Sequence, residues 1–189
     1  MGILRAGGAI GKPVEANPMN RRLAVYLGTF DPVHLGHLDI VTRGLKAFDR
    51  ILVGVGNNPD KKPLLRLEER VGLIEKVVRE EIKEAHRVEV KPFMGLAVHF
   101  VKESGSSVML RGLRTTSDMD YEFTMSLANM SLDPDIETVF LMAKDIYSHL
   151  SSSLLRQIAS FGGDMGKFLP VGAVDLVHKR YKDMAEKSS

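Results

Sequence analysis

From residue 22 onward, short and nearly continuous apolar runs alternate with longer stretches in which apolar residues return every three or four positions. The runs are RLAVYLG (22–28), RILVGVG (50–56), HRVEVKP (86–92), SVMLRG (107–112) and IETVFLMA (136–143). Short and rich in Val, Ile, Leu and aromatic residues, they predict strands. The stretches between and after them predict helices over about 36–48, 67–84, 95–103, 117–132, 151–160 and 171–184. In the second, Leu67, Val71, Ile74, Val77 and Val78 share one stripe while glutamates and lysines take the other face, as in a helix laid on a sheet.

Apolar strands separated by helices imply parallel pairing through right-handed crossovers, and hence a doubly wound α/β domain around a parallel five-stranded sheet. Sheets of this kind hold ligands beyond the carboxyl ends of their strands, where the strand order reverses. Candidate chemistry is therefore sought in the segment after each strand.

The first strand is followed by GTFDPVHLGH. Gly28 admits a ligand close to the backbone, Asp31-Pro32 turns the chain, and Gly36 permits tight packing where a helix opens. His34 and His37 fall near that helix N-terminus, whose free N–H groups favour an anion, and histidine there is a donor that is neutral or charged near pH 7. A zinc site through Asp31, His34 and His37 finds no completing ligand in the sequence. After the second strand, Lys61 and Lys62 lie in a loop between two prolines, as point charges suited either to phosphate or to solvent. After the fourth, Arg111 and Arg114 bracket Gly112, ready either to fork onto phosphate or to pair with Asp118 or Asp120. After the fifth, Ser151, Ser152 and Ser153 offer a helix cap and additional hydroxyl donors, or simply a capped helix.

Strand ends converge in such a fold, so these segments together predict a polyphosphate nucleotide and a second anionic substrate. No Walker sequence occurs, no G-x-G-x-x-G follows the first strand, and no nucleophile elbow is present, which disfavours a P-loop kinase, a dinucleotide dehydrogenase and a serine hydrolase.

Composition narrows the picture further. The 189 residues suit a single domain over 21–184, between a flexible tail (1–20) and a frayed end (185–189). With 26 basic and 24 acidic residues the net charge is +2, which argues against a dedicated nucleic-acid binder. There is no cysteine, so no disulfide or Cys-ligated metal, in keeping with a reducing cytoplasm. No apolar run approaches the ~20 residues that span a bilayer, so no membrane partner is expected. Gly2 is followed by Ala6 where a myristoylation signal wants Ser or Thr, and Met19 offers an alternative start ahead of the first strand.

In order and spacing, GTFDP, HLGH, KKP, LEER, RGLR, DYE and SSSLLR closely resemble the phosphopantetheine adenylyltransferase family, over about residues 22–180. His-x-Gly-His with a late serine motif marks the wider nucleotidyltransferase superfamily, and KKP with RGLR and DYE narrows it. The resemblance implies a Rossmann-like nucleotidyltransferase fold and transfer of the adenylyl group of MgATP to 4′-phosphopantetheine, giving dephospho-CoA and pyrophosphate in coenzyme A biosynthesis. It implies direct in-line attack without a covalent enzyme intermediate. His37 would stabilise charge on the α-phosphate, with His34 in support. Thr29 would orient the attacking phosphate and touch ATP, and Phe30 would contribute backbone to the nucleotide. Lys61 and Arg111 match phosphopantetheine-binding positions, as does Ala97, whose contact would be backbone or shape. Gly112, Leu113, Arg114 and Glu122 match ATP-binding positions, and Tyr147, Ser148, His149, Leu150, Ser151, Ser152 and Ser153 match the segment around adenine and the β- and γ-phosphates. Magnesium would travel on the ATP phosphates with no protein ligand set. The resemblance also implies a cytoplasmic homohexamer. The rivals are a sister nucleotidyltransferase acting on nicotinamide mononucleotide or with a cytidylyl donor, and a non-catalytic nucleotide-sensing or RNA-binding module.

Overall fold

The structure, a computed structural model, describes residues 22–57 and 63–188. Five parallel strands form one sheet in the order β3-β2-β1-β4-β5, with β1 Leu23–Gly28, β2 Arg50–Gly56, β3 Val88–Phe93, β4 Val108–Leu113 and β5 Glu137–Met142. Six helices connect and follow them: α1 Leu35–Ala47, α2 Leu67–Glu81, α3 Ala97–Glu103, α4 Thr116–Leu132, α5 Ser152–Ser160 and α6 Val171–Ser188. This is the doubly wound α/β domain around a parallel five-stranded sheet that the alternation predicts.

The central strands are apolar on both sides because helices cover both faces. Ala24, Tyr26, Ile51, Val53 and Leu110 pack against residues of α1, α2, α5 and α6, while Val25, Leu27, Leu52 and Met109 pack against Val98 and Val101 of α3 and against Ile136. α1 lies so close to the sheet that a Cβ at Gly44 would come within 2.6 Å of Ile51 Cδ1 and 3.0 Å of Leu110 Cδ2.

Three helix ends depart from the expected bounds by two residues or more. α2 stops at Glu81 rather than 84, because Ile82 turns extended (φ −103°, ψ 115°) and is buried. α3 begins at Ala97 rather than 95, because Gly95 adopts φ +87°, which a right-handed helix cannot use. α6 continues to Ser188, past the expected stop at 184. In α2 the buried positions are Arg70, Leu73, Ile74, Val77 and Val78, so the stripe lies rotated from the expected one and includes a charge.

β1 pairs with β2, and β4 with β5, along their whole lengths, but β1 and β4 pair only at Val25↔Met109 and Tyr26↔Leu110. Beyond Tyr26 and Leu110 the two strands part, at the place where the strand order reverses. Among the described residues no helix is long and apolar enough to cross a membrane.

Candidate active site

The segment after β1 folds back on itself. Phe30 has φ +49°, in the left-handed region, and its ring lies over Gly28, where a Cβ would sit 2.9 Å from the ring. Gly28 therefore makes room for an aromatic ring of its own chain, while its backbone still lines the cavities beyond the strand end. The next residue, Asp31, is only 3% exposed and accepts the backbone N–H groups of Leu64 (2.8 Å) and Leu65 (2.9 Å), while Arg156 Nη1 donates to its side chain (3.2 Å) and its carbonyl (2.6 Å). One carboxylate thus ties together the turn after β1, the loop before α2, and α5. On the other side of Phe30, Arg70 donates to the carbonyls of Thr29 (2.7 Å) and Gly56 (2.8 Å) through Nη1 and to that of Leu65 (3.1 Å) through Nε.

His34 caps α1 and His37 occupies its first turn, with the rings stacked at 3.6 Å between centroids. The His34 N–H donates to His37 Nδ1 at 3.1 Å. Because Nδ1 accepts, the neutral ring carries its proton on Nε2, which remains as the donor. Burial holds His37 well below its ordinary pKa, and the nearby His34, Arg114 and Arg111 add to the shift. His34 is lowered to about 3, chiefly by burial and then by Arg114. These shifts favour neutral imidazoles at pH 7 for both, the charge state that the sequence left open. His34 Nδ1 is buried and without a hydrogen-bond partner among the described residues.

Arg111, within β4, and Arg114, directly after it, are both ion-paired. Arg111 forks onto Glu122 (Nε to Oε2 2.7 Å, Nη2 to Oε1 2.5 Å) and donates through Nη1 to the Leu27 carbonyl (2.5 Å). Arg114 forks onto Asp118 (2.8 and 2.9 Å) and donates to the Leu150 carbonyl (2.5 Å). Asp118 is the partner expected if the arginines were structural, but Arg111 takes Glu122, a residue assigned to ATP. The serine run divides its work as well. Ser151 caps α5 by accepting the Leu154 N–H (3.1 Å), Ser152 donates to the Pro32 carbonyl (2.9 Å), and Ser153 accepts from Arg156 (3.3 Å). The expected surplus of free hydroxyl donors is thus partly committed to the protein.

These groups converge. Thr29, Phe30, His37, Arg111, Gly112, Arg114, Glu122, Tyr147, Ser151, Ser152 and Ser153 all line one cavity of about 370 Å³. Leu113 and Leu150 are buried beside it, and Leu150 contributes the carbonyl held by Arg114. Ser148 and His149 do not line it. The Ser148 hydroxyl donates to the Asp145 carbonyl, and His149 meets Phe168 edge-on. Lys61 lies outside the described residues. Polar residues to which the resemblance assigns no role also line the cavity, among them Tyr26, Asp31, Arg70 and Arg156. Arg70 did carry a sequence signal, since it sits three positions after Leu67 and four before Ile74, on the apolar stripe of α2.

A second cavity of about 670 Å³ opens from the first, sharing Gly28, Thr29, Arg111 and Glu122 with it. Phe93, Met94, Ala97 and Met125 supply an apolar wall, and Asn57, Tyr121, Ser126, Asn129 and Thr138 add polar groups to the shared ones, the Thr138 hydroxyl being buried without a partner among the described residues. Ala97 is therefore part of the second cavity. Among the described residues no group of three or more His, Cys, Asp or Glu is arranged to hold a metal ion.

A family model described as Cytidylyltransferase-like matches residues 25–158. The phosphopantetheine adenylyltransferase of Clostridium botulinum (strain Eklund 17B / Type B) is 49% identical over 161 residues, covering 85% of this chain and 99% of that one. The enzyme of the same name from Caldanaerobacter subterraneus subsp. tengcongensis is 44% identical over 167 residues, covering 88% and 99%. Among solved structures, a bifunctional NMN adenylyltransferase/ADP ribose pyrophosphatase from Francisella tularensis, complexed with AMP and a manganese ion, superposes with a TM-score of 0.66 at 15% identity. That match covers 89% of this chain and 53% of the longer two-function protein, and at this identity it bears on the fold alone.

Proposed function

The chain belongs to the phosphopantetheine adenylyltransferases, nucleotidyltransferases within the cytidylyltransferase-like family, and from that premise we propose that it joins MgATP and 4′-phosphopantetheine by direct in-line attack. The phosphate oxygen of phosphopantetheine forms a bond to the α-phosphorus of ATP, the α–β bridging bond breaks, and pyrophosphate leaves. The product, dephospho-CoA, continues coenzyme A biosynthesis.

The observation that carries this reading is the pair of cavities meeting at Thr29, Arg111 and Glu122. The first is walled by arginines, serines and a neutral histidine, the chemistry that receives phosphates. The second has an apolar wall with a few polar groups, which suits a long flexible arm carrying amides. The shared residues are where the two phosphates would react.

The roles follow from what each group has free. His37 offers Nε2–H to charge developing on the α-phosphate, and Thr29 orients the attacking phosphate. Arg111 binds that phosphate, aided by Lys61. Arg114 and the segment from Tyr147 to Ser153 receive the nucleotide, with Gly112 and Leu113 lining it through backbone. Incoming phosphate competes with Glu122 and Asp118 for the arginines, so charge is exchanged within the site. No nucleophilic side chain is required, and catalysis rests on positioning and on donors aimed at the developing charge. Mg²⁺ would be held by the ATP phosphates rather than by a protein ligand set, and would supply charge neutralisation there.

The working unit in this reading is a cytoplasmic homohexamer, supported by the apolar residues that α4 leaves exposed, Phe123, Leu127, Met130 and Leu132 among them.

The test is pyrophosphate release by the purified protein with MgATP and either 4′-phosphopantetheine or nicotinamide mononucleotide. Release is expected only with phosphopantetheine. Release with the mononucleotide alone would transfer the chain to the sister reaction, and no release with either would remove the catalytic reading.

A further inference from the structure

Arg70 is the largest fully buried side chain among the described residues, 2% exposed, and its hydrogen bonds there go to no carboxylate, although Asp31 and Glu68 act on it electrostatically. Burying a guanidinium without a carboxylate is expensive unless its donors are well used. Here they hold three backbone carbonyls, and one of these is the carbonyl of Thr29.

That bond orients a peptide. The Thr29–Phe30 peptide is trans, so its N–H points away from its carbonyl, and hence away from Arg70. No acceptor among the described residues takes the Phe30 N–H, although Phe30 is only 2% exposed and buried N–H groups are nearly always paired. Thr29, Phe30 and Arg70 all line the first cavity. The flanks of the peptide are fixed as well. Leu65, whose carbonyl takes Arg70 Nε, gives its N–H to Asp31, so Arg70, Leu65 and Asp31 form a closed circuit around the left-handed Phe30.

We propose that Arg70 is a positioning residue for the reaction: it holds the Thr29–Phe30 peptide so that the Phe30 N–H faces the cavity as a donor to phosphate. In this role Arg70 acts through the peptide that it holds. A lysine there keeps the charge but cannot fork to three carbonyls. Naming the anion as a phosphate of MgATP rests on the adenylyl-transfer reading.

The test uses protein labelled with 15N at phenylalanine, with the Phe30 amide identified by its disappearance in Phe30→Tyr. On titration with MgATP the Phe30 amide of the wild type is expected to move downfield. In Arg70→Lys that movement is expected to be largely lost, with kcat reduced by about ten- to a hundredfold and the KM for ATP changed much less. Arg70→Gln serves if the lysine variant does not fold, and the wild-type titration is decisive without either. A Phe30 amide unmoved by MgATP in the wild type overturns the proposal. So does an Arg70 variant that keeps both the amide shift and kcat, whatever its melting temperature, since that is the behaviour of a structural strut. An amide that moves in the wild type and not in Arg70→Lys, in a protein that releases no pyrophosphate, keeps Arg70 as the residue that aims the Phe30 N–H at phosphate and removes the catalytic reading instead.

Discussion

The donor role proposed for His37 needs a neutral ring, and the reason the ring is neutral lies three residues back in the chain. The His34 N–H occupies Nδ1, so protonating that nitrogen would break a cap bond, and the buried ring beside two guanidiniums disfavours any second proton. A histidine whose folded pKa is depressed remains neutral above its unfolded value and acquires charge only as pH falls through the lower folded one. Hence kcat is expected to show no acid limb from His37 near pH 6.5. A limb there that vanishes in His37→Ala would contradict this assignment. Within the proposed reaction, His37→Ala is expected to lower kcat by about a hundred- to a thousandfold, roughly 3 to 4 kcal/mol of transition-state stabilisation. Calorimetry should find ATP affinity changed only a few-fold, and equal losses in binding and turnover would place His37 in ground-state binding instead. The motif made this histidine visible in the sequence. Its tautomer was not, because that depends on a backbone N–H and on burial.

At the scale of elements, spacing was informative wherever one partner decided the outcome. The central strands read as continuous apolar runs because helices cover both faces, and α2 read as a stripe because it has one sheet beneath it. Reading failed where conformation or a long-range carbonyl decided. Gly95 postpones α3, Ile82 ends α2 early, and the backbone carbonyls that engage Arg70 and Arg156 come from segments distant in the chain. Gly44 illustrates how local and global preferences part. In an exposed helix Gly→Ala adds up to about 1 kcal/mol of stability. In α1 the added methyl meets Ile51 and Leu110 at 2.6 and 3.0 Å, so Gly44→Ala is expected to destabilise by about 1 to 3 kcal/mol instead. Urea denaturation would measure it, and a raised midpoint would show that the interface has slack.

For the whole molecule, the doubly wound order and the convergence of strand ends were legible because alternation of runs and helices admits few topologies. The use of α4 was not, since its apolar residues face more than one direction. Tyr121 and Met125 line the second cavity, while Phe123, Leu127 and Leu132 lie exposed elsewhere on the same helix. Sedimentation velocity is expected to give a mass several times the 20.9 kDa of one chain, and Phe123→Glu with Leu127→Glu is expected to reduce it. A monomer at micromolar concentration would leave that surface unexplained and refute the assembly.

The short β1–β4 pairing bears on how safely this sheet carries a site at its centre. Where two strands part, carbonyls lose their ladder partners and resemble an open sheet edge, the feature through which chains join one another and aggregate. At Leu27 the Arg111 guanidinium covers that edge, bridging to Glu122 as it does so. The arginine proposed to bind substrate is thus also a stopper in the middle of the sheet. Selection for solubility and selection for activity act on the same side chain, so variants at Arg111 would be lost from the soluble fraction before their chemistry was measured.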